Sequence, residues 1–280
     1  MNVFIIILIV VVVLCAVFLF TITPRVFNKP DESMFRQKLF AHRGLHDNEG
    51  DAPENSMKAF EKAIKAGYGI ETDVQLSKDK VPVIFHDFTL DRICGVDGKV
   101  ADYTYEELQQ FNLAKSQEKI PTFGEFLKLV DGQVPLIIEY KIATVDTTVC
   151  DIADPLLVDY KGEYCIESFS PMGVKWYKEH HPDVIRGQLS MRFFAKGVKW
   201  PKGKLGFLEW LIEHQMFNFL TRLDFIAYDY HSYKLPSRCI CHMLFHNTAA
   251  AWTIKSQEAL DEMQGHFDVF IFDSFVPKGK

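Results

Sequence analysis

Two short stretches place ionisable side chains two residues apart, on what should be one face of a strand: Glu71 and Asp73 in Glu-Thr-Asp, and Glu139 and Lys141 in Glu-Tyr-Lys. Three carboxylates converging from strand ends make an all-oxygen set for a hard divalent cation, Mg²⁺ or Ca²⁺. Any one of them alone reads as a surface charge, but each lies in an apolar run, where an unpaired carboxylate is expensive. Two histidines end similar runs, His42 in His-Arg-Gly and His86 in His-Asp. An imidazole near neutral pH can take or give a proton, although a lone histidine is more often a hydrogen-bonded structural group. Arg43 offers a fork of donors that matches phosphate, and Gly44 lets the backbone approach closely. A histidine pair, a cation site, an arginine and a lysine, with no hydride-cofactor motif or activated serine, fit phosphoryl chemistry better than acyl transfer or redox chemistry.

Such residues must be carried by strands whose ends meet. Short apolar strands alternate with helical patterns, and parallel strands are expected at 39–42, 69–74, 136–141, 164–168, 185–189, 225–230, 249–253 and 269–272. Eight is the number that closes a TIM-type (β/α)₈ barrel, an α/β fold whose chemistry gathers at the carboxyl ends of the strands. Helices are expected at 54–66, 123–130, 145–160, 172–180, 205–220 and 257–263, with no outer helix after the last strand. The run Val81–Phe85 follows the second strand too closely for a parallel crossover and must return as a hairpin. A turn centred on Lys78-Asp79 sets Glu71 opposite His86. The stretch Met191–Leu220, with Trp200, Phe207, Trp210 and Phe217, reads as an amphipathic barrel helix behind a Pro-Gly loop, a lipid-facing flap being the other reading.

The 280 residues carry 31 basic and 37 acidic side chains, a formal net charge of −6, and 48% are hydrophobic. This balance excludes a disordered chain and argues against a nucleic-acid partner. Val3–Phe20 is an unbroken apolar run, which Thr21 and Ile22 extend to about the length that crosses ~30 Å of hydrocarbon. No basic residue precedes it and no small-residue cleavage pattern follows, so an uncleaved single-pass anchor is expected rather than a signal peptide. The division that results is an anchor at 1–23, a linker at 24–37 and a barrel domain at 38–280. Arg25, Lys29, Arg36 and Lys38 lie on the carboxyl side of the span, which favours a cytoplasmic barrel. Five cysteines outside the span, an odd number, agree with a thiol-reducing side.

Ala41-His42-Arg43-Gly44, Pro53-Glu54-Asn55-Ser56, Glu71-Thr72-Asp73-Val74, His86-Asp87, Ile120-Pro121-Thr122-Phe123 and Glu139-Tyr140-Lys141 follow one another in this order and spacing. The set resembles the glycerophosphodiester phosphodiesterase family, in a membrane-anchored, bacterial-type form, with Ser168-Phe169 and Trp252-Thr253 similar to its later landmarks. The resemblance covers about Leu39 to Asp273. It implies a barrel that uses a divalent cation to hydrolyse glycerophosphodiesters to glycerol 3-phosphate and an alcohol, in lipid and glycerol metabolism. It further implies His42 and His86 as the acid-base pair, and Glu71, Asp73 and Glu139 as holders of the ion. Arg43 and Lys141 would contact phosphate, Glu54 would lie close to the ion or phosphate, and Phe169 and Trp252 would wall the glycerol. Two departures stand out: Phe272-Asp273-Ser274-Phe275 where the family has Thr-Asp-x-Pro, and Ser56 where it has Thr. The segment Leu90–Lys119 takes the place of the family's small insertion. Other readings are a phosphodiesterase acting on intact or lyso-phospholipid, which the anchor favours, and a membrane-tethered binding protein without turnover.

Overall fold

A computed structural model describes residues 2–195 and 206–278. Eight parallel strands close a barrel: β1 (Leu39–His42), β2 (Gly69–Leu76), β4 (Leu136–Tyr140), β5 (Tyr164–Ser168), β6 (Ile185–Ser190), β7 (Phe225–Asp229), β8 (Thr248–Ile254) and β9 (Val269–Phe272). Each pairs in parallel with the next, and β1 closes the ring by pairing with both β2 and β9. The antiparallel strand β3 (Pro82–Ile84) is attached to the end of β2. The expected TIM-type barrel is thus present, with strand limits within a few residues of those read from apolar runs.

The hairpin register differs from expectation. Val74 faces Ile84 and Gln75 faces Val83, one residue away from the register that would set Glu71 opposite His86. Its connection is an odd three-residue loop, Lys78 to Lys80, in which Lys80 takes a left-handed φ of 65° and its N–H donates to Ser77 O. An odd loop shifts the pairing by one residue. His86 therefore lies beyond the paired segment, where Phe85 N–H donates to Asp73 O at 3.1 Å.

The helices depart from expectation where local chemistry interrupts them. The first outer helix, α2 (Met57–Ala66), starts at Ser56, whose hydroxyl accepts from Ala59 N–H; either Ser or Thr can make that cap, so this departure from the family pattern is neutral. The expected helix at 145–160 is a short helix, Thr148–Ala153, followed by a 3₁₀ turn, Asp154–Leu157. Pro155 lacks the N–H that would continue the α-helical ladder. Within 205–220 the described helices are Gly206–Glu213 and Asn218–Thr221, parted at Gln215, whose φ is 60°. Trp200 lies outside the described residues. A helix at Pro236–Phe245 was not expected from the sequence, since its cysteines and histidine blur the apolar period.

The barrel interior has two levels. Alternate residues of the strands point inward, and those near the strand starts are apolar: Phe40, Ile137, Cys165, Ile185, Phe225, Val269 and Ile271 form one buried cluster. Gly69 and Gly187 leave room for the Phe40 and Phe225 rings, where a Cβ would approach to 2.5 Å and 2.2 Å. Phe35 closes this floor from below, fully buried, with ring centroids 5.8 Å from Phe40 and 4.6 Å from Phe225. The segment before β1 is thereby docked on the barrel, with Arg25 N–H donating to Leu223 O and Gln37 N–H to Asp268 O.

Helix α1 (Val3–Thr21) is long and apolar enough to cross a bilayer and has no buried residue. Its end meets the floor side of the barrel: Asn218 Nδ2 donates to Ile22 O at 2.9 Å, and the Phe20 and Phe219 rings lie 5.4 Å apart. Replacing Phe35 by alanine should open the barrel floor and destabilise the protein by about 3–5 kcal/mol, read as a lowered denaturant midpoint with an unchanged slope.

Candidate active site

The level above the apolar floor is polar. Parallel register places Asp73 of β2 beside Glu139 of β4, and Glu139 beside Glu167 of β5, while His42 of β1 stands beside Glu71 of β2. All four carboxylates are almost completely buried. Glu71, Asp73 and Glu139 are thus buried inside the barrel, as their spacing predicts, and Glu167, which that spacing did not mark, stands beside Glu139 one strand further on. Its signal was the Glu167-Ser168-Phe169 alternation, in which 167 and 169 share an inward face.

Cations interleave with these carboxylates. Lys141 Nζ lies 2.8 Å from Glu139 Oε1 and 3.4 Å from Asp73 Oδ1. Arg43 takes a left-handed φ of 56° and is followed by Gly44 at 81°. A Cβ on Gly44 would come within 2.8 Å of the Ala59 backbone, so this turn requires glycine. The turn directs Arg43 N–H to Glu71 Oε2 at 3.1 Å and its guanidinium to Glu54 Oε1 at 2.6 Å, with Nε 3.6 Å from Asp73 Oδ2.

Each histidine has its own carboxylate. His42 Nδ1 is 3.4 Å from Asp273 Oδ2, and His86 Nδ1 is 2.5 Å from Asp87 Oδ1. With Nδ1 engaged, Nε2 is the ring nitrogen left for proton exchange. Burial, then the neighbouring Arg43 charge, pulls His42 down to about 4. His86 is also lowered, by burial and then by Lys141. Asp273 additionally receives His46, whose Nε2 is 3.1 Å from Oδ1. The departure from the family pattern around Phe272–Phe275 thus retains the carboxylate that meets His42 and His46.

Two supporting residues were missed by sequence reasoning. Arg92, from the 90–119 insertion, donates twice to Glu54 at 2.7 Å and once to Asp87 Oδ2 at 2.6 Å. It ties the second histidine's partner to the carboxylate that holds Arg43. Burial acts to raise Glu54, but Arg92 and Arg43 hold it well below the usual carboxylate range. The insertion can place Arg92 because its Leu90, Ile93, Val100, Leu108 and Leu113 form a small core with Val83 and Phe85 of the hairpin return. The other is Asn55, also left-handed at φ 57°, which receives a hydrogen bond from Thr72 Oγ1 and donates to Asp73 Oδ2, both at 2.9 Å.

The donor set fits a divalent cation. Buried negative charge exceeds the positive charge of Arg43 and Lys141, and burial plus mutual repulsion raises Glu71 and Glu167 well above the usual range and Glu139 to about 7. Asp73 is the exception: burial raises it, but His86, Lys141, Arg43 and the Asn55 hydrogen bond together hold it low. Ligand atoms of Asp73, Glu139 and His86 lie within 4.8 Å of one another. Among the described residues, none donates a hydrogen bond to Glu167 Oε2 or Asp73 Oδ1. Glu71 is adjacent, turned toward Arg43 N and 3.9 Å from His42 Nε2. Phe169 and Trp252 meet edge-to-face at 5.6 Å and pack on the floor cluster.

A closed parallel barrel with its ionisable groups gathered at the strand ends defines the TIM-barrel class. Residues 42–162 match the glycerophosphoryl diester phosphodiesterase family. Glycerophosphodiester phosphodiesterase 1 of Bos taurus is 37% identical over 274 residues, covering 86% of this chain and 79% of the bovine one. The chain belongs to the glycerophosphodiester phosphodiesterase family. A glycerophosphodiester phosphodiesterase of Bacillus altitudinis is 41% identical over 112 residues, a match that spans 38% of this chain and 44% of that relative. Among solved structures, a phosphodiesterase of Oleispira antarctica in complex with the product sn-glycerol-3-phosphate has the same fold. Its TM-score is 0.68 at 22% identity, over 85% of this chain and 93% of that one.

Asn55→Gly keeps the left-handed backbone and removes the amide that donates to Asp73 and accepts from Thr72. It should weaken Mg²⁺ or Ca²⁺ binding by ~10–100-fold, as measured by calorimetric titration of the purified protein.

Proposed function

We propose that this protein hydrolyses glycerophosphodiesters to glycerol 3-phosphate and an alcohol, in lipid and glycerol turnover. The observation that carries this reading is the pair of histidines, each held by its own carboxylate, on either side of a carboxylate set that Arg43 and Lys141 only partly neutralise. Arg43 and Lys141 bind and orient the phosphate. One histidine Nε2 takes the proton from the attacking oxygen, of water or of the neighbouring glycerol hydroxyl, and the other gives a proton to the departing alkoxide; where the glycerol hydroxyl attacks, water then opens the cyclic phosphate to glycerol 3-phosphate with the two histidine roles exchanged. Asp273 and Asp87 hold the imidazoles in the required tautomer, and Arg92 with Glu54 keeps Arg43 and Asp87 in place. A divalent cation, Mg²⁺ or Ca²⁺, held by Asp73 and Glu139 with Glu71 alongside, supplies neutralisation of the phosphate oxygens when bound. Phe169 and Trp252 offer an apolar wall for the glycerol carbons.

In the same reading, residues 1–23 anchor the protein as a single-pass membrane protein, 24–37 connect, and 38–280 form the catalytic barrel in the cytoplasm. Helix α1 favours a second reading, a phosphodiesterase for lyso-phospholipids. Against it, α1 meets the barrel at the floor, the end opposite the strand ends that bear the histidines. A mouth directed away from its own bilayer suits a water-soluble diester better than a lipid of that membrane.

The purified full chain should turn over glycerophosphocholine faster than lysophosphatidylcholine, and His42→Ala or His86→Ala should each lower that turnover by ~100-fold or more with the fold retained by circular dichroism. Near-native turnover in either variant removes that histidine from the mechanism, and faster release from the lyso-lipid selects the second reading.

Orientation is checked in intact cells with a membrane-impermeant thiol reagent. Cys150, Cys165 and Cys241 are buried, so Cys94 and Cys239 report accessibility. They should stay unlabelled until the membrane is permeabilised, whereas prompt labelling places the barrel outside.

A further inference from the structure

On the floor side of the barrel, just beyond the end of α1, a cleft of about 640 Å³ opens between the segment Thr23–Asn28 and the barrel wall. Its charged lining is lopsided. Arg25, Lys178, Arg186 and Arg222 face the cleft, and Asp224 pairs with two of them, 3.5 Å from Arg25 Nη1 and 3.8 Å from Arg186 Nη1. Other contacts of these cations are to neutral carbonyls: Arg222 Nη1 donates to Thr23 O at 3.1 Å, Lys178 Nζ to Leu220 O at 2.7 Å, and Arg25 Nη1 to Pro182 O at 2.7 Å. The carbonyls fix the cations without neutralising them. Nearby acidic groups do not close the gap, since Glu179 is engaged by Lys175. Lys178 titrates below the ordinary lysine value, through partial burial, with Glu179 opposing and the Arg222, Arg186 and Lys175 charges adding.

We propose that this cleft is a binding site for the phosphate-bearing headgroup of an anionic phospholipid in the bilayer that α1 spans. The proposal rests on α1 as a membrane span and is independent of the hydrolytic reading. A free phosphate ion offers the same charge, but the position favours a lipid. One wall of the cleft is the chain leaving the apolar helix, so the cations stand at the level where headgroups lie. Val26 and Phe27 on that wall are exposed, Phe27 by 82%, as suits side chains that enter the acyl boundary. Basic clefts beside a span recognise acidic headgroups through charge-assisted hydrogen bonds that a zwitterionic lipid satisfies less well. Ile22, Asn218 and Cys241 fix the helix end to the barrel, so a bound headgroup would join the barrel floor to the membrane rigidly.

The test places the full chain in nanodiscs of phosphatidylcholine alone, of phosphatidylcholine with phosphatidylglycerol, and of phosphatidylcholine with millimolar inorganic phosphate in the buffer. Phosphatidylglycerol should raise the barrel's unfolding temperature by about 2 °C or more, and the gain should shrink with added salt. Lys178→Gln and Arg222→Gln should each reduce the gain. Because Arg222 also fastens Thr23, the lysine variant is the cleaner test. An equal rise with inorganic phosphate, no rise with phosphatidylglycerol, or a full rise in both variants overturns the proposal. Failure of the chain to enter nanodiscs overturns the membrane span itself.

Discussion

Burial of like charge inside the barrel mouth is the constraint to which the other features answer. Glu71, Asp73, Glu139 and Glu167 are removed from water in the polar level of the barrel mouth, where Asp73 and Glu139 raise the proton affinity of the carboxylates around them. Carboxylates in that position stay ionised only if positive charge is brought to them. Lys141 and Arg43 supply part of it, and the donor geometry of the rest suits a divalent cation. The left-handed backbone at Arg43 and Asn55, the close approach at Gly44 and the Asn55–Asp73 hydrogen bond all serve to aim donors at this layer.

The apolar floor makes that layer effective. Phe40, Phe225 and Phe35 fill the barrel below the carboxylates and exclude water, so charges in the mouth interact through a medium of low polarizability. The two glycines that accommodate the rings lie on β2 and β6, and larger residues there would push the floor into the polar layer. The same floor receives the segment that leaves α1. One end of the barrel therefore receives the apolar helix and the other bears the ionisable groups, with close-packed aromatic side chains between them.

Connections outside the barrel complete the site. Arg92 comes from an insertion with a separate core, and it joins Glu54 and Asp87, which themselves hold Arg43 and His86. A change in that insertion would reach both Arg43 and His86 without touching either directly. Asp273, at the end of the last strand, does the equivalent for His42 and adds His46.

Much of this was legible from residue type and spacing. Period-two alternation placed Glu71 with Asp73 and Glu139 with Lys141 on inward faces, because a strand has no other way to dispose its side chains, and eight apolar runs separated by helical patterns implied closure. The apolar run at 3–20 likewise announced a helix of bilayer-spanning length. Tertiary structure alone decided the rest. The hairpin register turned on the left-handed Lys80 in a three-residue loop, a choice that no periodicity encodes. Glu167 joined the site because the register of β5 against β4 set it beside Glu139, and Arg92, Asp273 and Asn55 did so through contacts spanning tens to hundreds of residues. Strand alternation is a local property of the backbone and can be read along the chain, whereas the meeting of an inserted arginine with the distant Glu54 depends on how separate cores pack, which spacing along one sequence does not specify.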